Sequence, residues 1–392
     1  MKFNTYSISE LIDEIAMGPF GSNIKVECFV DDGIPVLNGS NLNGFFLTED
    51  SFRYVTEEKA DSLGRANAHR GDIVITHRGT LGQIVCIPET SKYDRYVISQ
   101  SQFRVKCNKK VLPEYLVYYF HTAIGQHKLL SNASQVGVPA LARASTTFQK
   151  IEVEIPDVKT QQKVVSVLNA IEEKINVNRS INENLEQQAK ALYQQMFIEN
   201  TSSDWVEGSL RDIADITMGQ SPSGSSYNED GIGAIFFQGR AEFSFRFPTI
   251  RLYTTEPKRM ACANDILMSV RAPVGDLNIA HTDCCIGRGL AAIHSKTNHQ
   301  SFVLYTMFSL RKQLDVFNGE GTVFGSINRN SLNDMPILIP SDETIEEFER
   351  IVAPMDAAIR NNYDEICRLQ AIRDTLLPRL MSGELDISEL DI

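Results

Sequence analysis

The chain of 392 residues carries 38 basic and 50 acidic side chains, for a formal charge of -12, and 42% of its residues are hydrophobic. This composition can bury enough apolar surface to fold, which excludes the disordered and collagen-like classes. No apolar run approaches the roughly 20 residues that a bilayer-spanning helix needs, and we expect a soluble, cytoplasmic protein.

The acidic charge is concentrated at one end of the chain. Residues 341–392 hold 5 basic and 13 acidic side chains, a net charge of -8. The rest of the chain is therefore close to neutral, and local basic surfaces remain possible there. The overall charge does not exclude a nucleic acid as partner.

The chain contains an internal repeat. Residues 137–197 align with residues 321–381 without a gap, at a constant offset of 184. The aligned landmarks include an Ile-Pro pair at 155–156 and again at 339–340. Farther upstream the offset drifts, but similar motifs recur in the same order. The sequence therefore consists of two copies of one plan.

In chain order, residues 1–156 are predicted to form a first domain and residues 201–340 a second domain. Short β-rich runs in these segments are separated by Gly, Pro, Asn and Asp, and each copy has one helical run. The regular β-α alternation of a doubly wound sheet is absent, so the pattern predicts two similar α+β domains. The clearest β runs are 72–76, 83–87 and 103–107, and the helical runs are 113–130 and 302–317.

Long helices are predicted after each domain, over 157–200 and 341–383, and an acidic tail follows over 384–392. Apolar residues recur in each at alternating steps of four and three, the heptad pattern of a coiled coil. Two matched seams favour an antiparallel helix pair that separates the domains and gives the repeat a pseudo-two-fold axis. In the alternative interpretation, each helix lies on a globular core. The predicted seam residues are Leu168, Ile171, Ile175, Asn178, Leu185, Leu192, Val352, Met355, Ile359, Asn362, Leu369 and Leu376.

Two residues of the second helix bear on its continuity. Pro354 lies inside the heptad run and predicts a kink or a helix that restarts, because proline removes one backbone donor and crowds the preceding turn. Gly383 follows the last apolar position and predicts a C-cap.

The usual catalytic motifs are absent from the sequence. It lacks a Walker-type phosphate loop, the His-Glu-x-x-His metal motif, the Gly-x-Ser-x-Gly nucleophile motif and the Pro-Pro-aromatic motif of amino-methyltransferases. Two similar domains on a stiff spacer instead suit a DNA duplex, whose strands are themselves related by two-fold symmetry.

The order of these landmarks resembles that of the specificity subunit of type I restriction-modification enzymes. The second domain opens with Met-Gly-Gln-Ser-Pro-Ser-Gly at 218–224, each domain closes with Ile-Pro before a long helix, and the second helix ends with Leu-Leu-Pro-Arg-Leu at 376–380. The resemblance covers essentially the whole chain. The first domain departs from it, with Gly-Pro-Phe-Gly-Ser at 18–22 in place of the Gly-Gln-Ser-Pro entry.

The resemblance implies a non-catalytic DNA-binding subunit of a host-defence system. Each target-recognition domain would read one half of a bipartite target in double-stranded DNA. The helices would dock two methyltransferase subunits and, through that complex, motor-nuclease subunits. S-adenosylmethionine, ATP and Mg²⁺ would be bound by those partners, with no cofactor or metal on this chain. The alternative is a non-enzymatic scaffold with two protein-binding or glycan-binding domains.

Candidate DNA contacts are Arg, Asn, Gln, Ser and neighbouring polar residues in loops beside glycine, where the backbone can approach a duplex. Arg78 and Arg271 occupy matching turns in the two copies, which favours a DNA contact; the alternative is a salt bridge that holds each turn. Arg246, Arg251, Lys258 and Arg259 are further candidates for phosphate contacts, although scattered basic residues are more often simply solvated. The predicted DNA-contacting residues are Asn38, Ser40, Asn41, His77, Arg78, Thr80, Gln100, Gln238, Arg240, Arg271 and Arg288.

Overall fold

The computed structural model describes residues 1–134, 137–319 and 325–390. It divides into two units, of which the first comprises Met1–Asn176 and Glu365–Ile392 and the second Val177–Asp364. Each unit therefore holds most of one predicted domain together with a segment of each long helix. The last two residues of the predicted acidic tail lie outside the described residues.

Three of the sheets in the described part of the first unit recur in the second unit. A two-stranded sheet pairs Asn4–Ser7 with Glu152–Ile155. The four-stranded sheet has the order Ile12–Met17, Gln102–Cys107, Ile73–Thr76 and Ile84–Cys86. The five-stranded sheet has the order Phe29–Val30, Arg53–Val55, Ile34–Val36, Arg95–Val97 and Asn67–His69. A further hairpin joins Ala133–Ser134 to Ala140–Leu141.

The second unit repeats the same strand orders. Its two-stranded sheet pairs Val206–Ser209 with Pro336–Ile339. Its four-stranded sheet has the order Ala214–Met218, Leu290–Ser295, Ile266–Ser269 and Leu277–Ile279. Its five-stranded sheet has the order Tyr227–Asn228, Leu252–Thr254, Ala234–Phe237, Cys284–Ile286 and Met260–Ala261. The internal repeat of the sequence is thus a repeat of fold.

One inner strand of each four-stranded sheet is apolar at three successive positions because both of its faces are buried. In Ile73–Thr76, Ile73 and Ile75 pack on one face into the main core, whereas Val74 packs on the other face against a second cluster. In Ile266–Ser269, Leu267 is likewise separated from its neighbours. A strand buried on both faces is apolar at successive positions and does not alternate.

Each predicted helical run is broken in two. The first becomes Pro113–His121 and Ala123–Leu130, and the second becomes Gln300–Ser309 and Arg311–Asp315. The first break occurs at Thr122, whose backbone is extended and whose hydroxyl accepts a hydrogen bond from the Gly125 N–H at 3.0 Å. A threonine cap therefore starts a new helix, a local signal that the apolar pattern hides. The remaining short α-helices in the described part of the chain are Glu57–Ser62, Ala144–Gln149, Leu210–Ile213 and Arg329–Asn333.

The first long helix spans Val158–Tyr193 and continues into a π-helical turn, Gln194–Glu199. The second long helix spans Asp342–Ser382 and runs through Pro354 without interruption, so of the two predicted outcomes the restart does not occur. Pro354 and Arg350, four residues earlier, are both exposed, so water can hydrogen bond to the carbonyl that lacks its helical donor. Gly383 has a φ of 76° and its N–H donates to the Leu380 carbonyl, which confirms the C-cap.

The helix segments pair antiparallel within each unit. In the first unit, Glu172 binds Arg373 at 2.7 Å and Lys174 binds Glu365 at 3.4 Å, so the partner number falls as the first number rises. In the second unit, the side-chain amide of Asn362 donates to Asn182 at 2.8 Å. The predicted fold class, two similar α+β domains with a long antiparallel helix pair, is confirmed.

The helix pairs are part of the domain cores. In the first unit, Leu168 and Leu380 belong to the same apolar cluster as the sheet residues, and in the second unit Val352 does. The two sequence interpretations therefore both hold, because the helices pack on each other and on their domains. Of the predicted seam residues, Leu168, Ile175, Asn178, Val352 and Ile359 are buried, and Ile171, Leu185, Leu192, Met355, Asn362, Leu369 and Leu376 are partly buried.

Candidate nucleic-acid interface

Four loops of the first unit meet at one edge of its sheets. The Gly18 N–H donates to the Gln102 carbonyl at 2.8 Å, and the Gln83 side chain donates to the Gly39 carbonyl at 2.9 Å. The first bond joins two of the loops, and the second bond joins the other two. We define the first loop cluster as residues 18–24, 38–43, 77–83 and 99–102.

His77 and Gln100 tie two of these loops together. The His77 backbone N–H donates to the Ser101 carbonyl at 2.9 Å, and the ring Nε2 lies 3.2 Å from the Gln100 carbonyl oxygen. Burial is the largest cause that lowers the pKa of His77, so the ring is uncharged at neutral pH. The neutral ring can donate to that carbonyl from Nε2. The Gln100 side chain is exposed.

Arg78 is placed where it can reach a ligand. Its backbone forms an isolated antiparallel bridge with Ala140, and the next residue, Gly79, donates to the Pro139 carbonyl at 2.9 Å. Arg78 and Thr80 are exposed. Within the described residues, the Arg78 side chain makes no hydrogen bond or ion pair. A fixed backbone therefore carries an unengaged guanidinium.

Asn41 is structural, and the predicted base contact by this residue is inconsistent with its burial. Its side chain is fully buried and its amide donates to the Thr48 and Asp50 carbonyls at 3.0 and 2.8 Å. Its carbonyl oxygen accepts the Asn38 N–H at 3.0 Å. Ser40 is exposed, and Asn38 is partly buried and accepts from Ser40. The spacing of Asn38 and Asn41 is that of a reciprocal cap, a signal that favoured this structural role.

The second unit has an equivalent edge. The Gly219 N–H donates to the Leu290 carbonyl at 2.9 Å, as Gly18 does to Gln102. Both glycines are required, since a Cβ at Gly18 would lie 1.9 Å from the Ser99 oxygen and one at Gly219 would lie 2.1 Å from the Gly287 oxygen. We define the second loop cluster as residues 219–226, 238–242, 270–276 and 287–289.

Arg271 occupies the same backbone position as Arg78. It forms an isolated antiparallel bridge with Ser326, and Ala272 donates to the Gly325 carbonyl at 3.0 Å. Arg271 is exposed, and among residues 1–134, 137–319 and 325–390 its side chain has no hydrogen-bonded or ionic partner. The described residues thus supply no salt bridge that would explain either arginine.

The other residues of the second cluster that are predicted to contact DNA differ in whether their side chains are already paired with another residue. Gln238 and Arg288 are exposed. The Arg288 N–H donates to the Ser221 hydroxyl at 3.2 Å, which joins two of the loops. Arg240 instead forms an ion pair with Asp276, which also binds Arg311 at 2.6 Å. A contact between Arg240 and a duplex would therefore compete with this carboxylate.

Arg246 does not lie on the surface, so the predicted phosphate contact is wrong. Its side chain is only 2% exposed and forms an ion pair with Asp356, while its Nε lies 3.3 Å from a Glu186 oxygen. Burial alone lowers the pKa of Arg246, but Asp356, Tyr305 and Glu186 together raise it above its usual value. Lys258 and Arg259 are exposed, and Arg251 is exposed but paired with acidic side chains.

The two clusters share a chemical character. Their glycines allow close backbone approach, and exposed amides, hydroxyls and guanidinium groups are the side chains that read base edges by hydrogen bonding. Residue Gln83, which bridges two loops, was not predicted from the sequence. Its bond with the Thr76 hydroxyl at 3.0 Å depends on a strand pairing that the local sequence does not reveal. Of the helices in the described residues, none is both long and apolar enough to cross a bilayer.

Comparisons with known proteins agree with this arrangement. A family model of the type I restriction modification DNA specificity domain matches residues 19–187 and 202–367. A protein assigned as the specificity subunit of type I restriction enzyme MjaX of Methanocaldococcus jannaschii is 26% identical over 376 residues, covering 91% of this chain and 88% of that protein. The specificity subunit of type I restriction enzyme HindI of Haemophilus influenzae is 22% identical over 380 residues, covering 74% and 82%.

A solved structure supports the fold. The type I restriction-modification S subunit from M. genitalium superimposes with a TM-score of 0.63 at 14% identity, covering 97% of this chain and 96% of that one. The family model matches well over half of the chain, once in each copy of the repeat. With two copies of this domain and the two long helices, the chain belongs to the family of type I restriction-modification specificity subunits.

Proposed function

We propose that this chain is the non-catalytic subunit that gives a type I restriction-modification complex its DNA sequence specificity. The first loop cluster reads one half of a bipartite target and the second loop cluster reads the other half. Methylation and cleavage are carried out by partner subunits, which bind S-adenosylmethionine, ATP and Mg²⁺.

One observation carries this proposal: the two units present different side chains on the same loop framework. Gly18 and Gly219 make equivalent close approaches, and Arg78 and Arg271 share a backbone position. The neighbouring residues differ, as in the Pro-Phe of the first entry loop and the Gln-Ser-Pro of the second. A shared framework suits a common duplex geometry, and different side chains suit different base sequences.

The long helices have a second role in this proposal. They set the spacing between the half-sites and dock two methyltransferase subunits. The exposed apolar side chains of Val177 and Ile181, which lie four residues apart on the first long helix and are 46% and 43% accessible, support a docking role. Apolar residues that a helix leaves uncovered are characteristic of protein-binding surfaces when they cluster. Motor-nuclease subunits then join through the methyltransferase subunits.

We expect Arg78→Ala to weaken recognition of one half-site and Arg271→Ala to weaken recognition of the other. The expected loss is about 1–3 kcal/mol for each if the guanidinium makes a bidentate contact with guanine. The measurement is binding of the complex with methyltransferase subunits to a panel of duplexes that vary one half-site at a time.

Lys109→Ala provides a matched loss of one positive charge. Lys109 is exposed and follows the strand Gln102–Cys107 at the end opposite the first loop cluster, so its removal should leave base preference unchanged. Equal weakening on every duplex would assign the arginines to phosphate contacts. Unchanged binding by both arginine variants would contradict their role.

A further inference from the structure

Phe20 is an aromatic side chain that the fold does not bury. It is 83% exposed and lies between Pro19 and Gly21 in the entry loop of the first loop cluster. Exposed aromatic side chains carry no packing energy in the free chain and are enriched where a protein contacts a partner. The sequence marked this loop only as a departure from the usual entry.

A cavity lies beside Phe20. It has a volume of about 330 Å³, and apolar side chains, among them Ile24, Phe29 and Val36, form part of its lining. Asn38 and Gln100, which belong to two other loops of the cluster, also line it. Arg53 also lines the cavity, with its guanidinium carbon 5.2 Å from the centroid of the Phe29 ring. The cavity therefore combines an apolar wall with two amide residues and one arginine.

The entry loop and Gln100 are closely packed. A Cβ at Gly21 would lie 2.1 Å from the Gln100 side-chain oxygen, so only glycine leaves that amide in its present place. The Gln100 carbonyl is in turn held near the His77 ring. The exposed ring and the amide are thus positioned as one surface within the first loop cluster.

The second unit lacks this feature. Its entry loop has Gln-Ser-Pro-Ser at 220–223, with no aromatic side chain before the 3-10 helix Gly224–Ser226. The docking surface proposed for the methyltransferase subunits lies on the long helices, whereas Phe20 lies in the first loop cluster. An apolar surface present in one half only instead suits the ligand that differs between the halves, which is the half-site sequence.

We propose that Phe20 and the adjacent cavity read the methyl group of a thymine in the half-site of the first unit. The thymine methyl is the apolar group that the four bases present in the major groove, and phenylalanine side chains contact it in protein–DNA complexes. The amides of Asn38 and Gln100 match the donor and acceptor that the paired adenine presents. This inference rests on the proposed function and names one base pair of the target.

The test replaces each thymine of the selected target, one at a time, by deoxyuridine, which lacks only the methyl group. The complex of the full chain with methyltransferase subunits should bind roughly fourfold more weakly when the replaced thymine lies in the half-site of the first unit, since about one methyl-sized group is no longer buried. Phe20→Ala should bind the thymine and deoxyuridine duplexes equally. Phe20→Leu should keep part of the discrimination.

Val26→Ala is the matched control. Val26 is 80% exposed in the segment that follows the entry loop and does not line the cavity. The Val26→Ala complex should therefore discriminate between the thymine and deoxyuridine duplexes as well as the unaltered complex does. Equal binding of all deoxyuridine duplexes by the unaltered chain would overturn the inference, as would full discrimination by Phe20→Ala. A loss of methyltransferase binding by Phe20→Ala, with discrimination retained, would assign the surface to protein docking. Failure of the unaltered complex to select any sequence would overturn the proposed function itself.

Discussion

Arg246→Ala should destabilise the second unit by about 3 kcal/mol. Removing one partner of a buried ion pair leaves the other charge buried without compensation, at a cost of about 3–5 kcal/mol. Asp356 and Glu186 are each 17% exposed, so water can partly solvate them and the lower value is expected. The Arg246 guanidinium also donates to the Tyr305 hydroxyl at 2.7 Å, and that bond is lost as well.

The ion-pair network ties a domain loop to both long helices. Arg246 lies in a loop of the recognition domain with a φ of 64°, Glu186 lies on the first long helix and Asp356 lies on the second long helix. All three belong to the second unit. Loss of this ion-pair network should therefore also loosen the attachment of the second loop cluster to the two long helices.

Amide hydrogen exchange of the whole chain measures this effect. The opening free energy of the strand Ile266–Ser269 should fall, while that of Ile73–Thr76 in the first unit should not change. Arg259→Ala, which removes an exposed arginine from the same domain, should leave both strands unchanged. If the amides of Ile266–Ser269 exchange as slowly in the Arg246→Ala protein as in the unaltered chain, the buried network contributes no net stability.

Inserting one heptad into both long helices should lengthen the preferred gap between half-sites by about three base pairs. Seven helical residues add roughly 10 Å at 1.5 Å per residue, and one base pair spans about 3.4 Å. The insertion belongs near Asn182 and Asn362, which are hydrogen bonded to each other, so that the apolar seam stays in phase. The added DNA also rotates one half-site about the duplex axis, so affinity should fall while both half-site sequences stay the same.

A heptad inserted into only one helix is the control, because it offsets the facing residues and should impair folding or assembly. The readout is selection of targets from a library with randomised gaps, using variants that still bind methyltransferase subunits. An unchanged gap in a folded, methyltransferase-bound double insertion would show that the helices dock partners without setting the spacing.

The repeat and the helices could be predicted because their signals are long. The apolar seam extends over about five heptads in each copy, and the structure has helices over Val158–Tyr193 and Asp342–Ser382. The break within the first shorter helical run was missed, since one capping threonine outweighs an apolar pattern only eighteen residues long. The division into domains at 156, 200, 340 and 383 stays a prediction.

The candidate site was harder to predict because exposure depends on tertiary contacts. Asn41 and Arg246 are polar residues in loops, as surface contacts would be, yet both are buried. The partners of Asn41 lie within nine residues of it, whereas Asp356 is 110 residues from Arg246. Conversely, Phe20 looks like a core residue and is exposed. Whether a polar side chain is exposed or buried can be predicted only when its hydrogen-bonding or ionic partners are known. For Arg246 those partners lie on the two long helices.

Selection of targets from a fully randomised duplex library tests the reading of two half-sites most directly. The chain in complex with its methyltransferase subunits should enrich duplexes with two different short sequences at a fixed gap, and binding to them should persist in the presence of competitor DNA. Enrichment of a single continuous sequence, or binding that salt abolishes equally for all duplexes, would contradict the assignment of one half-site to each unit.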